Sequence, residues 1–120
     1  MERVSADDAE SVEAVPDVEL TLLAGASRLN VQRFRIGPGA TVPRHSHEQE
    51  QVGYVTAGEL VFLVGDEDDP EEVVVGEGDS FAFESEEPHA AENRGDAPVE
   101  GVDIFSPPRT AADWGDSGDE

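Results

Sequence analysis

The sequence predicts a single all-β domain, a small barrel or jelly roll, and three observations support this prediction. The chain has 120 residues, enough for one hydrophobic core but not for two. From Val18 onward it is built of short apolar and β-branched runs, which are typical of strands. Gly and Pro separate the runs, and no amphipathic helical period is present. Short strands with short links favour closure into a barrel, because closure removes exposed sheet edges.

The predicted strands follow one another at short intervals, with turn residues between them. Their bounds are Val18–Ala24, Leu29–Ile36, Gln51–Thr56, Glu59–Val64, Glu72–Val75, Ser80–Phe83, His89–Asn93 and Val99–Ser106. The links contain Gly37-Pro38-Gly39, Ala57-Gly58, the acidic stretch from Gly65 to Pro70, the stretch from Gly76 to Asp79, and Gly95-Asp96. Pro107 and Pro108 end the last strand, because proline cannot donate a ladder hydrogen bond.

The two ends of the chain differ from this pattern. Residues 1–16 are acidic, show no sustained periodicity and end at Pro16, so they predict a loose, flexible arm. Residues 17–109 form the predicted barrel domain. Residues 110–120 predict an acidic tail, which holds the only Trp of the chain, Trp114.

The charge balance excludes several classes of partner. The chain has 29 acidic and 7 basic residues, every basic residue is Arg, and the net charge is −22. Such a surface repels phosphate backbones and anionic headgroups, so we expect neither nucleic acid nor membranes as partners. No apolar run is long enough for a membrane span and the N-terminus does not resemble a signal peptide, which predicts a cytoplasmic protein. The absence of Cys excludes disulfides, a thiolate nucleophile and Cys-ligated zinc.

The acidity itself has two interpretations. Acidic residues are spread from Glu2 to Glu120 and Lys is absent, a composition that resembles that of haloarchaeal proteins, which work in molar salt. At about 1 M salt the Debye length is about 3 Å, so like charges repel only weakly. The second interpretation is a local cation site at residues 66–72. This cluster lacks the alternate-residue spacing and the closing Glu of a calcium loop, and it is more typical of a hairpin tip.

The three histidines of the chain are candidate metal ligands. His45, His47 and Gln51 share parity, so on one extended strand they would point to the same face. In a barrel of about eight strands that face can be the lumen, which is wide enough for one small ligand or ion. His89, from a distant strand, would complete three imidazole nitrogens, and Gln51 could add an amide oxygen. The alternative is that the His-Ser-His stretch is a polar strand on the surface.

The order of these residues resembles the cupin family. Its first motif is matched, apart from a Gln where Glu is usual, by Gly39, His45, His47, Gln51 and Gly58. Its second motif is matched by Gly76, Gly78-Asp79, Pro88-His89 and Asn93. The Pro that usually precedes the turn carrying the His is absent. The resemblance covers about residues 29–109 and implies a metal-binding cupin barrel with a jelly-roll-like fold.

A closer resemblance is to the pectin-degradation cupins that linearise unsaturated uronates. It is carried by the string from His45 to Val55 and by the late string from Val102 to Arg109. It implies a metal held by three His and a Gln, and an Asp, a Phe and an Arg that complete the site. By motif position the metal ligands are His45, His47, Gln51 and His89, and the catalytic residues are Asp103, Phe105 and Arg109. Their plainer interpretations are a surface acid, a core residue and a surface ion-pair partner.

The implied ligand set sets the charge at the site. Three neutral imidazoles and an amide leave a divalent ion its full +2 charge, which suits Lewis-acid chemistry on an anionic substrate. Nitrogen and oxygen ligands fit Ni, Mn, Fe, Co or Zn. Arg109 could hold a carboxylate through its planar fork, and Asp103 could move a proton during ring opening and keto–enol tautomerisation.

The sequence therefore favours a metal-dependent enzyme that opens or isomerises a small uronate-like sugar. One alternative is a barrel that binds or senses a small anionic metabolite without converting it, and another is a metal-dependent dioxygenase. The apolar residues Leu20, Leu22 and Leu23 also predict a homodimer paired along strand 18–24. The same strand could instead close its own barrel.

Overall fold

Two antiparallel β-sheets make up the fold, which confirms the all-β prediction. The structure, a computed structural model, describes residues 1–110. A short 3-10 helix over Ala6–Asp8 precedes the strands. In chain order the strands are β1 (Ser11–Val15), β2 (Val18–Gly25), β3 (Asn30–Ile36), β4 (Thr41–His45), β5 (Glu50–Ala57), β6 (Glu59–Val64), β7 (Glu71–Gly76), β8 (Ser80–Phe83), β9 (His89–Glu92) and β10 (Val99–Ser106).

In the larger sheet, β5 from the middle of the chain pairs with β10, the last strand. The larger sheet has the order β1-β2-β3-β10-β5-β8, and the smaller sheet has the order β4-β9-β6-β7. Buried positions alternate along β3 and β10, the pattern expected of strands with one face on a core. The hydrophobic core includes Phe34, Val55, Leu60, Phe62, Phe83 and Val99.

Two phenylalanine rings pack directly against glycines of the neighbouring strand, where any larger residue would clash with them. A Cβ added at Gly53 in β5 would lie 2.1 Å from Cζ of Phe81. A Cβ added at Gly101 in β10 would lie 2.5 Å from Cζ of Phe34. Glycine inside a strand commonly marks such a close approach, and here it lets the interior fill with aromatic side chains.

The predicted strands are present, and two further strands were not predicted. Each of the predicted bounds lies within one residue of the observed bound. The additional strands are β1 and β4. The prediction of a loose arm is wrong for Ser11–Val15, because β1 pairs with β2 in antiparallel register, with Val12 opposite Leu20. The N-terminal segment therefore adds an edge strand to the larger sheet.

The neighbours of β2 bear on the predicted dimer. β2 lies between β1 and β3, so within residues 1–110 both of its edges are already paired. Pairing across a two-fold axis along this strand would require β1 to leave, and the structure therefore contradicts that mode of association. The homodimer itself stays a prediction.

Two further predictions concern the membrane and the C-terminal tail. No helix within the described residues has the length and apolar character needed to cross a membrane. The predicted tail over residues 110–120, including Trp114, lies outside the described residues except for Thr110.

Candidate metal centre

His45 and His89 face each other across two neighbouring strands. His45 ends β4 and His89 begins β9, and the two are direct partners in the antiparallel register. Their ring centroids lie 4.3 Å apart. Side chains that are directly opposite in an antiparallel pair project to the same side of the sheet. Pairing of these strands therefore brings together two histidines that are far apart in the sequence.

His47 and Gln51 reach the same place by a different route from the one that the sequence suggested. The hypothesis that one strand carries His45, His47 and Gln51 is wrong, because β4 ends at His45 and β5 begins at Glu50. His47 lies in the turn between the strands, and its backbone carbonyl accepts a 2.7 Å hydrogen bond from the amide of Glu86. The side chain of His47 is buried, and its ring centroid lies 5.6 Å from that of His89.

The three histidines form a cluster that could hold a metal ion. One possible ligand atom from each of His45, His47 and His89 can be chosen so that all lie within 4.8 Å of one another. The Nδ1 atoms contact the backbone carbonyls of Pro43, Gln49 and Glu87 at 2.9, 3.0 and 2.8 Å. A carbonyl oxygen only accepts, so each Nδ1 carries the proton and each neutral ring keeps its lone pair on Nε2. Such outer hydrogen bonds fix the tautomer and the ring direction that a metal ligand needs.

Gln51 places an oxygen beside this cluster. Its Nε2 donates a 3.0 Å hydrogen bond to Oδ1 of Asp103, which turns Oε1 toward Nε2 of His47 at 3.2 Å. With Nδ1 of His47 protonated, both facing atoms are lone-pair donors. Two lone pairs directed at one point suit a cation between them. The residues present therefore fit a divalent transition ion held by imidazole nitrogens, with an amide oxygen beside them.

Burial keeps two of the imidazoles neutral. Burial, and to a smaller extent the charges of His89, Arg109 and His47, lower the pKa of His45 to about 3, although the hydrogen bond to Pro43 acts in the opposite direction. Burial also lowers the pKa of His89 to about 4. The ring of His89 stacks on that of Phe83, with centroids 3.9 Å apart and planes 7° from parallel. Neutral imidazole is the form that binds metal.

The three predicted catalytic residues lie inside the barrel. Asp103 and Phe105 alternate with exposed residues on β10 and are buried, so Asp103 is not a surface acid. Arg109 follows the strand and is only 6% exposed. Its Cζ lies 5.5 Å from the centroid of the Phe105 ring, within the range of a cation–π interaction. That ring also lies 5.7 Å from the ring of His47.

Burial also changes the acidity of Asp103. Complete loss of solvent raises the pKa of its carboxyl to about 7, and the hydrogen bond from Gln51 and the charge of Arg109 hold it from rising further. A carboxyl with a pKa near neutrality can both take up and release a proton at physiological pH. Asp103 therefore has the acidity of an acid/base group as well as a place beside the histidines.

A cavity between the sheets connects these groups. Its volume is about 50 Å³, and its walls carry mostly apolar side chains from both sheets, among them Leu60, Phe62 and Phe81. The polar residues that line it are Gln32, His45, Gln51, His89, Asp103 and Arg109. Two glutamines, two histidines, one aspartate and one arginine thus line the same largely apolar cavity. Such surroundings strengthen electrostatic interactions with anything bound there.

Sequence reasoning missed two polar residues on the inner face of β3. Gln32 is 7% exposed, lies opposite Asp103 in the register and lines the cavity. Asn30, two residues earlier, is buried beside Arg109. The signal was available, because Asn30 and Gln32 occupy the same alternate positions as the core residues Phe34 and Ile36. A polar residue at an inward position of a strand indicates a site or a buried hydrogen bond.

These features define a class: a small two-sheet β-barrel with a histidine cluster inside that could bind a metal. The chain belongs to the cupin domain family, whose model matches residues 32–105. This result confirms the family that the two sequence motifs indicated.

Solved structures support the same fold. The chain is 26% identical to an RmlC-like cupin from Shewanella frigidimarina NCIMB 400, over 91% of this chain and 94% of that one, with a TM-score of 0.78. The polyketide cyclase RemF from Streptomyces resistomycificus is 25% identical over 88% and 79% of the two chains, with a TM-score of 0.74. KdgF from Halomonas sp. is 23% identical over 90% and 96%, with a TM-score of 0.79, which shows the fold alone. No curated protein matches the chain at a significant level.

Proposed function

We propose that this cupin is a metal-dependent enzyme that opens or isomerises the ring of a small unsaturated uronate-like sugar. One observation carries the proposal: a buried acid, Asp103, and a buried cation, Arg109, line the same cavity as two of the clustered histidines. A barrel that served only as a scaffold would have no use for a buried acid and a buried cation beside a metal cluster, because burying charges is costly.

Asp103 is the proposed acid/base group. With a pKa raised to about 7, it can exchange a proton between a sugar hydroxyl and a ring carbon. The hydrogen bond from Gln51 holds Oδ1 in place, and Oδ2 is the oxygen proposed to exchange the proton. Keto–enol tautomerisation after ring opening needs one such group on the correct side of the sugar.

Arg109 is the proposed carboxylate-binding group, and Phe105 supports it. The guanidinium offers parallel N–H donors that match the two oxygens of a carboxylate. The centroid of the Phe105 ring lies 5.5 Å from Cζ of Arg109 and 5.7 Å from the centroid of the His47 ring. A divalent metal held by His45, His47, His89 and Gln51 would supply Lewis-acid polarisation of substrate oxygens.

The size of the cavity limits the ligand. A volume of about 50 Å³ holds only a few water molecules, since each needs about 10–15 Å³ by this measure. A six-carbon acid would therefore place its reacting end inside and extend through the mouth of the barrel. The space favours a single small sugar acid over a polysaccharide chain.

Turnover of unsaturated galacturonate by the metal-loaded protein tests the proposal. We expect substrate loss with the wild-type protein and a fall of about 100-fold or more in kcat for Asp103→Asn, with metal content unchanged. The matched control is Asp79→Asn, which changes a carboxylate in the link between β7 and β8 and should turn over like the wild type. Equal turnover by Asp103→Asn and wild type would remove Asp103 from the mechanism.

The same assay separates the alternatives. A binding or sensing protein would bind the uronate without consuming it. A dioxygenase would require iron and take up oxygen. Either outcome would overturn the proposed reaction.

A further inference from the structure

Arg109 lies beyond the end of the last strand, so the sheet ladder does not fix its position. β10 ends at Ser106, and Pro107 and Pro108 follow. Neither proline has a backbone N–H to donate. The chain nevertheless carries Arg109 into the interior, where its side chain is buried over the ring of Phe105. Some other contact must hold the backbone at this point.

The side-chain amide of Asn30 supplies that contact. Its Nδ2 donates a 3.1 Å hydrogen bond to the carbonyl of Arg109, and its Oδ1 accepts a 2.7 Å hydrogen bond from the Arg109 amide. Both hydrogen bonds are buried and join residues that are 79 positions apart. Asn30 therefore pairs with the backbone of Arg109 much as a neighbouring strand would.

The surroundings of Asn30 leave space for this role. Asn30 begins β3, pairs with Phe105 of β10, and is 4% exposed. On its other side is Gly25, where an added Cβ would lie only 3.0 Å from Cβ of Asn30. A second amide, that of Gln49, donates a 3.3 Å hydrogen bond to the carbonyl of Pro108. Two side-chain amides thus hold consecutive residues of the segment after β10.

We propose that Asn30 is a positioning residue, whose two hydrogen bonds to the backbone of Arg109 direct the guanidinium into the cavity and so set the preference for a carboxylated ligand. The two hydrogen bonds hold the Arg109 backbone whether or not a ligand is bound. The effect on ligand preference rests on the proposed function, in which Arg109 binds the carboxylate. An Asn30 side chain that served only to fill space would not distinguish charged from uncharged ligands.

Amide hydrogen exchange at Arg109 tests the backbone contact without any ligand. Asn30→Ala removes both hydrogen bonds, and we expect the Arg109 amide to exchange about ten-fold faster or more. Asn30→Ser keeps a neutral polar side chain but is too short to make both hydrogen bonds, so it should also speed exchange and serves if Asn30→Ala folds poorly. The control is Ser106→Ala, which removes the 2.7 Å hydrogen bond to the carbonyl of Arg28 at the same end of β10. It should leave exchange at Arg109 within about two-fold of wild type. Unchanged exchange in both Asn30 variants would overturn the proposal.

Ligand preference tests the consequence. The dissociation constants of unsaturated galacturonate and of its uncharged methyl ester are measured on the metal-loaded protein. We expect the uncharged variants Asn30→Ser and Asn30→Ala to weaken the acid by about ten-fold while the ester and the metal content change little. In an Arg109→Ala background, the Asn30 substitution should add no further effect. Equal weakening of acid and ester would overturn the positioning role. If the wild-type protein does not prefer the acid, the proposed function fails and the ligand role of Asn30 fails with it, while exchange at Arg109 still decides the backbone contact.

Discussion

Gln51 donates a 3.0 Å hydrogen bond from its side-chain nitrogen to Oδ1 of Asp103. This contact explains why an amide suits a position where cupins usually have Glu. A glutamate would bring a second buried carboxylate to about 3 Å from Asp103, and like charges at that distance oppose ionisation. The amide instead holds Asp103 in place and directs its own oxygen to the histidines. One side chain thereby joins the candidate metal centre to the candidate acid/base group.

The contact predicts the effect of substituting Gln51. Gln51→Glu should raise the pKa of Asp103 above its value in the wild-type protein, because it removes a hydrogen bond to the carboxylate and adds a negative charge. Gln51→Leu removes only the hydrogen bond, so it should raise this pKa by less. NMR titration of the Asp103 carboxyl carbon in metal-free protein measures the order of the three proteins. A pKa in Gln51→Glu equal to or below that of wild type would show that the contact does not control Asp103.

The buried histidines predict how stability depends on pH without metal. The pKa values of His45 and His89 are lowered to about 3 and about 4, from an ordinary value of 6.5. Below pH 6.5 the unfolded chain therefore binds protons that the folded chain excludes, and the free energy of unfolding falls as pH falls. Asp103 has the opposite effect on the free energy of unfolding, because in the folded protein its carboxyl keeps a proton up to about pH 7.

Replacing one histidine isolates its share of this effect. Urea unfolding of EDTA-treated protein at constant KCl, from pH 6.5 to 5, should show a steeper loss of stability for wild type than for His45→Asn. The difference in slope should be on the order of 1 kcal/mol per pH unit. Parallel curves would mean that the folded protein does not exclude the proton from His45.

The surface charge predicts a dependence on salt. The net charge is −22, and the ion pairs of Arg35 and Arg94 lie at exposed or half-exposed positions. Exposed ion pairs add little stability, so the repulsion among the acidic residues is reduced mainly by dissolved salt. We expect the midpoint of urea unfolding to fall when KCl is reduced below about 0.5 M. Circular dichroism and unfolding midpoints that stay constant down to millimolar KCl would contradict this prediction and the halophilic interpretation with it.

The strands could be predicted where the local pattern was strong. In β3 the apolar residues Phe34 and Ile36 alternate with Arg33 and Arg35, and the observed burial alternates in the same way. β4 was missed because Pro43 interrupts it, and the fold tolerates that proline because β4 is an edge strand of the smaller sheet. β1 was missed because its five residues, within an acidic N-terminal segment, are too few to show a sustained pattern, and the strand is ordered by pairing with β2.

The sequence indicated which residues form the candidate site, but not how the strands and turns bring them together. Family motifs indicated His45, His47, Gln51 and His89, yet the reason offered, a shared face on one strand, was wrong. Convergence depends on a register between β4 and β9 and on the turn that carries His47, and both are set by tertiary pairing. The inward position of Asn30 could be read from the alternation in β3, but its partner could not, because Arg109 is 79 residues away.

We propose that His45, His47, His89 and Gln51 together hold one divalent ion inside the barrel. The most direct test is metal analysis of protein purified without added metal, together with a crystal structure that identifies the groups contacting the ion. We predict about one transition ion per chain, contacted by Nε2 of the three histidines, and its loss in the double variant His47→Ala with His89→Ala. A protein that purifies and crystallises without a bound ion, or whose metal content is the same in the double variant, would contradict the account.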